Sequence, residues 1–463
     1  MDKFITITIN GIQTPVERGT RLSDILEMEK PCGANGICKK CKVNINGKDE
    51  LACRYTVERE IDVKTYKNED VVSQSGVVVS GTFTKNVCFA LDIGTTTLSL
   101  ALISLSDKKP IGVISATNPQ RTFGADVISR IYYCRKNSVT KLHDVLVDTI
   151  NRMILEFDTD FVEKLYVSAN VTMLHTLFGI DCSALGVYPY TPQFLNSRTQ
   201  SAHTLGIRGV KTIISLPSSS TFIGADIVAG LGFLNSPHNK YNLLVDLGTN
   251  AEIVLYSKNG GVATSAAAGP CFEGVNISCG MSATPGAIYS FEQSYGHTSY
   301  KTIANQKATG ICGTGLIDII CELVKNDVID DTGYMSSDYT VCDGVYLSPE
   351  DVRQFQLAKS AVCSAILTLI KTEKIGFDDI AAMYISGGFS AQINVANAVN
   401  CGLLPKELRS KAKTVNNSCL QGTIKFACEG KSFKNYADKI KYVDLSASDH
   451  FSELFIKNMS FNQ

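Results

Sequence analysis

The sequence predicts a small α+β domain carrying a cysteine-rich loop, followed by a larger α/β region of two similar lobes. Three observations predict it. Four of the chain's sixteen cysteines crowd PCGANGICKKCKVNINGKDELAC (31–53), while the other twelve are scattered singly. A buried strand running into Asp-x-Gly-Thr and out into another strand occurs twice, in VCFALDIGTTTLSLALIS (87–104) and YNLLVDLGTNAEIVLYS (241–257). Between these regions KNEDVVSQSGVVVSGTFTKN (67–86) mixes charge, Ser, Gly and Val without a helical period, as a tether with one edge strand would. The expected division is therefore 1–66, a linker 67–86, a first lobe 87–238 and a second lobe 239–463.

In the small domain, Phe4 to Ile9 alternates apolar and polar as a half-buried strand, Asn10-Gly11 is a hairpin signal, and Ile12 to Val16 returns. Thr20 is the expected N-cap of a short helix, with Leu22, Ile25 and Leu26 on one face and Pro31 as its stop. Lys42 to Ile45 and Leu51 to Thr56 read as two further strands joined through Asn46-Gly47. The result is a grasp of strands around one helix.

The setting is a reducing one. MDKFITITIN is polar and alternating, unlike a signal peptide, and no apolar run approaches the ~18 residues of a membrane span, so a cytoplasmic protein is expected. A formal net charge of -1 without a long basic run argues against nucleic acid as the main partner. In such a compartment a cysteine cluster binds metal more often than it forms disulfides. The spacing is C-x5-C-x2-C-x11-C, through Cys32, Cys38, Cys41 and Cys53. Structural zinc favours two C-x2-C knuckles or added histidines; here there is one knuckle, and the first histidine is His143. Gly33 and Gly36 allow a tight backbone that aims N–H groups at charged sulfurs, which a [2Fe–2S] cluster requires. Zinc is the alternative. The loop resembles those of [2Fe–2S] ferredoxins, which implies a β-grasp domain passing single electrons.

In the larger region, Asp92 and Asp246 lie 154 residues apart, the mark of a duplicated lobe. Backbone N–H groups around Gly94 and Gly248 suit phosphate oxygens, with Thr95, Thr96, Thr249 and Asn250 as further polar groups. The two aspartates are candidate catalytic groups, holding Mg²⁺ through water or orienting an attacking water. MYISGGFSAQINVANAVNCGLLP (383–405) adds a strand running into Gly387-Gly388, where a base or ribose can lie against bare backbone. Ser348-Pro349-Glu350-Asp351 opens a long helix through Ile370. Gly430-Lys431-Ser432 lacks the first glycine of a P-loop, having Lys425 instead, and is read as a loop. These motifs resemble the phosphate-1, phosphate-2 and adenosine motifs of the sugar kinase, Hsp70 and actin superfamily (ASKHA), implying two lobes that close on ATP. ICGTGLIDII (311–320) resembles the C-x-x-G-T-G segment of dehydratase-activating ATPases, implying nucleotide contacts for Gly313, Thr314 and Gly315; helix-start glycines are the alternative.

Nearly end to end, the chain resembles the ATP-dependent reductive activators of corrinoid proteins. NPQRTFGADVISRI (118–131), ANVTMLHTLFG (169–179), AAAGPCFEGVNISCGMSATPGAI (266–288) and QLAKSAV (356–362) carry the likeness beyond the loops above. It implies an ATP-hydrolysing enzyme that reduces Co(II) to Co(I) on the corrinoid protein of a methyltransferase system. The implied electron donor is a low-potential ferredoxin or flavodoxin, and a homodimer is compatible with it. The region before the first phosphate loop is shorter than in members with an additional linker. A plant-type cluster near about -400 mV would pass its electron uphill to cobalt, which implies a use for ATP. The rival readings are a small-molecule kinase of the same fold, an Hsp70-like binding module, and a dehydratase-type activator, each with a redox-sensing ferredoxin.

Local readings complete the survey. Asn170 and Thr172 are either helix-cap groups or polar groups facing a phosphate, and His175 is a core histidine. Asp126 and Asp226 are first-turn helix acids. Gly269 to Gly280, with Cys271 and Cys279, is either a mobile loop or a tight core turn.

Overall fold

The computed structural model describes residues 4–26, 28, 41–65, 86–234, 239–294, 297–388, 390–430 and 433–461. The tether, apart from Asn86, lies outside the described residues, as do Pro31, Cys32, Cys38, Lys431 and Ser432. The chain divides into two compact units, residues 1–215 and 216–463.

The first unit begins with β1 (Phe4–Ile9), β2 (Ile12–Glu17), α1 (Leu22–Ile25), β3 (Lys42–Ile45), β4 (Lys48–Leu51) and β5 (Asp62–Thr65). These strands form one sheet in the order β2-β1-β5-β3-β4, with β5 parallel to β1 and antiparallel to β3. Ile7, Leu22, Val43, Val57 and Val63 fill its core. Two expectations need correction. The fourth strand is Lys48–Leu51, not 51–56: the two-residue Asn46-Gly47 turn, both residues at positive φ, pairs Ile45 with Lys48 and so fixes where the return begins. The N-cap of α1 is Arg21 rather than Thr20, because Arg21 bridges to Thr56 and keeps the chain extended one residue further.

The unit continues with β6 (Val87–Ile93), β7 (Thr97–Ser104), β8 (Lys109–Thr117), α2 (Val127–Asn137), α3 (Thr140–Leu155), β9 (Val162–Ala169), α4 (Val171–Leu177), β10 (Thr199–Ser201) and β11 (Val210–Ser215). Their sheet order is β10-β11-β9-β6-β7-β8.

The second unit contains α5 (Ala225–Phe233), β12 (Tyr241–Leu247), β13 (Ala251–Ser257), β14 (Gly260–Ala266), β15 (Ala287–Ser294), β16 (His297–Thr302), β17 (Gly310–Ile311), α6 (Gly313–Lys325), β18 (Tyr339–Cys342), β19 (Val345–Leu347) and α7 (Pro349–Thr372). After these come β20 (Ile380–Ser386), α8 (Val395–Asn400), β21 (Ala412–Thr414), α9 (Ser418–Glu429), α10 (Lys434–Lys439), β22 (Ile440–Tyr442) and α11 (Asp449–Lys457). Its main sheet runs β21-β20-β12-β13-β14-β22. The long helix starts as expected, since Ser348 and Asp351 form a reciprocal capping box with Pro349 at its first position.

The two sheets repeat one plan. In each, three hairpin-connected antiparallel strands are followed by a parallel strand on the far side of the first: β6 pairs β7 and β9, and β12 pairs β13 and β20. The division between units falls after Ser215. The reason is that Ile227 and Leu231 of α5 are buried against Leu244 and Val254 of the second sheet.

Candidate functional site

The first Asp-x-Gly-Thr loop joins β6 to β7, with Asp92 paired in register between Ser99 and Ser168. Its backbone is held from behind. Asn118 Nδ2 donates to the Gly94 carbonyl at 2.7 Å, the Asn118 N–H donates to the Thr96 carbonyl at 2.8 Å, and Arg130 Nη2 donates to the Thr95 carbonyl at 2.5 Å. In a trans peptide the C=O and the next N–H point opposite ways, so the N–H groups of Thr95 and Thr96 face away from this backing. Arg130 is fully buried on α2, and its Nε also holds the Gly124 carbonyl at 2.9 Å. Gln120 continues the network to the Leu142 carbonyl and Thr176 Oγ1.

Sequence reasoning singled out the stretch 118–131 without assigning Arg130 and Asn118 a task. A signal was present: a cation between Val127, Ile131 and Cys134 on an otherwise apolar face demands a buried partner. Asp126 is the N-cap of α2, one residue before the first turn in which it was expected, its Oδ1 accepting from Ser129 N at 2.7 Å. Asn170 is the helix cap of its first reading, Oδ1 accepting from Met173 N at 2.9 Å, and its Nδ2 also donates to Thr95 Oγ1 at 3.3 Å. Thr172 is buried.

The second loop joins β12 to β13 and closes through Gly248 N to the Asn250 carbonyl at 3.0 Å. Asp246 stands in register between Glu252 and Ser386, the counterparts of Ser99 and Ser168 in the first lobe. The likeness extends one strand outward: Ser115 meets Ser99 at 3.2 Å, and Ser265 donates to Glu252 Oε1 at 3.2 Å. The second lobe thus has a buried carboxyl where the first has a hydroxyl. Burial pushes the Asp246 carboxyl up to about 6, against a hydrogen bond from Ser386. Glu252 is raised well above the carboxylate range by burial and then by the charges of Asp226 and Asp246. Asp226 lies in the first turn of α5, as expected, its Oδ1 accepting from Ile227 N. Beside these acids Thr249 Oγ1 is buried with no protein hydrogen-bond partner. Such an orphan suits a ligand oxygen.

β20 delivers the Gly-Gly turn beside the second loop. Gly387 has φ +114°, and a Cβ there would stand 2.0 Å from the Leu247 carbonyl oxygen, so only glycine fits. A Cβ on Gly388 would meet nothing within 4 Å, which leaves bare backbone with room beside it. The turn is pinned by Ser390 Oγ, which donates to the Gly387 and Val415 carbonyls. Gly313 and Gly315 open α6, and side chains on them would collide with the Phe272 and Ile288 carbonyls. Close packing of α6 accounts for both glycines. Thr314 is buried between them, 3.5 Å from Cys312 Sγ.

Of the four loop cysteines, Cys41 and Cys53 are described. Eleven residues separate them in sequence, yet β3 and β4 zip them together: Ala52 N donates to the Cys41 carbonyl at 2.8 Å, and both cysteines are buried in one core. The hairpin thus brings two residues of the expected set to the same end of β3 and β4.

His175 is a core residue, as expected. Nδ1–H donates to the Val171 carbonyl at 2.7 Å and Nε2 accepts from Gln193 N at 3.0 Å, so the ring is neutral, and burial holds its pKa below the ordinary value. The segment 269–280 is a tight core turn: Cys271, Phe272 and Ile277 are buried, and Ser278 is tied to Ser348 and Asp351 of the α7 cap. QLAKSAV lies on α7, where Gln356 and Lys359 hold the carbonyls of Asn458, Met459 and Ser460, clasping the terminal segment.

A sheet plan used twice, with an aspartate-led loop at the same place in each copy, defines the ASKHA class of α/β folds. Residues 87–235 match the RACo middle region, and residues 240–463 match the C-terminal ASKHA domain of RACo. The chain belongs to this family, the reductive activators of corrinoid proteins. A solved structure of the reductive activator for a corrinoid, iron–sulfur protein aligns over 98% of both chains, with TM-score 0.73 at 22% identity. The corrinoid activation enzyme RamQ of Eubacterium limosum is 27% identical over 415 residues, covering 80% of this chain and 70% of that protein. The [Co(II) methylated amine-specific corrinoid protein] reductase of Methanosarcina barkeri is 27% identical over 365 residues, covering 68% of this chain and 65% of its own.

Proposed function

We propose that this protein reduces the Co(II) corrinoid of a methyl-transferring partner protein to Co(I), drawing one electron through a [2Fe–2S] centre in an ATP-dependent reaction. The observation that carries this reading is the presence, in one chain, of a converging cysteine pair and a duplicated aspartate-led loop with an orphaned Thr249 hydroxyl. The names of the two relatives support the choice of a corrinoid protein as substrate.

Cys32, Cys38, Cys41 and Cys53 would hold the cluster in a β-grasp ferredoxin domain. Asp92 and Asp246 would bind Mg²⁺ or orient water, with the N–H groups of Thr95 and Thr96 and the Thr249 and Asn250 side chains toward phosphate. Gly387 and Gly388 would receive the nucleoside, with Gly313, Thr314 and Gly315 near it. When bound, the cluster supplies a one-electron carrier and the nucleotide supplies free energy. The protein's own contribution is positional: Arg130 and Asn118 hold the carbonyls of the first loop from one side and so fix its shape before a ligand arrives.

The test is anaerobic. With dithionite, Mg·ATP and a Co(II)-loaded corrinoid protein, the Co(I) absorption band should grow, and Cys38→Ser or Asp246→Ala should each abolish the growth. Equal rate and extent of reduction without nucleotide would refute the coupling. Phosphorylation of a small metabolite, with no response from any corrinoid protein, would establish the kinase reading.

A further inference from the structure

α2 meets the loop that follows α4 through a pair of thiols. Cys134, on α2, and Cys182, on the loop, are buried in one cluster with Ile131 and Leu185. The residues on either side of Cys182 both hold the Cys134 thiol, which donates to Asp181 Oδ1 at 3.6 Å and accepts from Ser183 Oγ at 4.0 Å. The Cys182 thiol itself donates to the same sulfur. That bond draws the Cys134 thiol down to about 7, against burial and the charge of Asp181, while giving it, together with burial, drives Cys182 up. One sulfur is thus in part a thiolate at neutral pH and its neighbour keeps its proton, which are the properties of an attacking and a resolving thiol. Asp181 is exposed and Ser183 partly so, which sets the pair one layer beneath solvent. Neither cysteine belongs to the loop of Cys32, Cys38, Cys41 and Cys53.

We propose that Cys134 and Cys182 form a peroxide-sensitive dithiol whose oxidation to a disulfide loosens the clamp on the first loop. The Cys134 thiolate attacks one oxygen of hydrogen peroxide, the O–O bond breaks, hydroxide leaves, and Cys134 becomes a sulfenic acid. The Cys182 sulfur then attacks the Cys134 sulfur, and the displaced hydroxyl takes a proton and departs as water. Two thiols and one peroxide give one disulfide and two waters. The consequence reaches the loop through α2. Arg130 stands one turn before Cys134 on the same buried side and holds the Thr95 carbonyl. Bond formation draws the two sulfurs closer than non-bonded contact permits. The helix and the loop have no slack to give elsewhere, since a Cβ on Gly186 would already stand 2.7 Å from Ile131 Cγ2. α2 therefore turns about that contact, and Arg130 moves off the Thr95 carbonyl. The effect on ATP rests on the function proposed above; disulfide formation does not.

The experiment uses the full chain, anaerobic and fully reduced, treated with stoichiometric hydrogen peroxide and then passed through a desalting column. Alkylation of the remaining thiols and peptide mapping should find a disulfide joining the peptides of Cys134 and Cys182. The KM for ATP should rise severalfold, and dithiothreitol should reverse both changes. Cys182→Ser should leave the KM of the untreated protein unchanged and form no such disulfide, and its Cys134 sulfenic acid should be captured by dimedone. Cys134→Ser is the second variant, expected to keep its KM through the same treatment, and thermal melts check that both are folded. Absence of the Cys134–Cys182 linkage in the treated, unaltered protein overturns the inference. A KM that rises equally in both variants also overturns it, because the damage then lies at other thiols. Formation of the disulfide with the KM unchanged overturns the link to the clamp. If the reduced protein hydrolyses no ATP, the proposed function fails, while the mapped linkage still decides whether the dithiol exists.

Discussion

Replacing Arg130 by methionine tests whether the first loop owes its shape to the buried guanidinium. Methionine keeps the apolar stem and removes two bonds to backbone carbonyls, Thr95 at 2.5 Å and Gly124 at 2.9 Å, with a longer one to Gln120 Oε1 at 3.5 Å. Each charge-assisted bond is worth roughly 1.5–3 kcal/mol, and its loss leaves an acceptor facing an apolar group. Relief of the buried cation's desolvation offsets part of this, for a net loss of about 3 kcal/mol. At about 2–4 °C per kcal/mol for a unit of this size, the melting temperature of the nucleotide-free protein should fall by about 6–12 °C. The Thr95–Thr96 peptide is then no longer held, and the KM for ATP should rise by about tenfold, a loss of roughly 1.4 kcal/mol in phosphate binding. Arg130→Lys keeps the charge, yet an ammonium cannot span both carbonyls as a planar fork does, so it should fall between the two. Melting is followed by near-ultraviolet circular dichroism, and hydrolysis by phosphate release. A methionine variant that melts within about 2 °C of the unaltered protein, with its KM unchanged, would refute the clamp.

Further predictions follow the buried titratable groups. Because the folded Asp246 carboxyl titrates near 6, above its ordinary range, the native state holds its proton more tightly than the unfolded chain, and stability falls as pH rises from about 4 to about 6. Asp246→Asn should therefore raise the melting temperature of the nucleotide-free protein at pH 7 while suppressing ATP hydrolysis; a lowered melting temperature would contradict the burial argument. His175 has the opposite sense, its lowered folded pKa meaning that the unfolded chain takes the proton first, so stability should decline as pH falls below about 6.5. His175→Phe should flatten that slope in pH-dependent denaturant titrations. Lys359→Met removes two bonds to the Asn458 and Ser460 carbonyls, and trypsin should then cut after Lys457 about tenfold faster, with an unchanged rate counting against the clasp.

Local chemistry was legible in the sequence wherever neighbours in the chain decide it. Asn-Gly dipeptides gave both hairpins of the small domain, the Ser-Pro-Glu-Asp run gave the capping box of α7, and Asp226 was recognisable as a first-turn helix acid. The duplication was legible because two copies of one strand–loop–strand pattern retain their order of residue types. Boundaries suffered where a distant partner intervenes, as Thr56 keeps Arg21 extended, and where a turn read correctly was not carried through to the register, as Ile45 pairing with Lys48 starts β4.

What the sequence determined by itself was the cysteine spacing, the two aspartate-led loops and the helix start at Ser348, since each depends on a few adjacent residues. What only the tertiary structure decided was which side chains stand behind those loops. Arg130 lies 35 residues beyond Thr95 and becomes its clamp because α2 crosses behind the β6–β7 turn. Glu252 and Asp246 become neighbours because β12 and β13 pair in that register, and their mutual repulsion exists only once both are out of water. Burial and long-range pairing are properties of the packed chain, and the energies that tune the site arise from them.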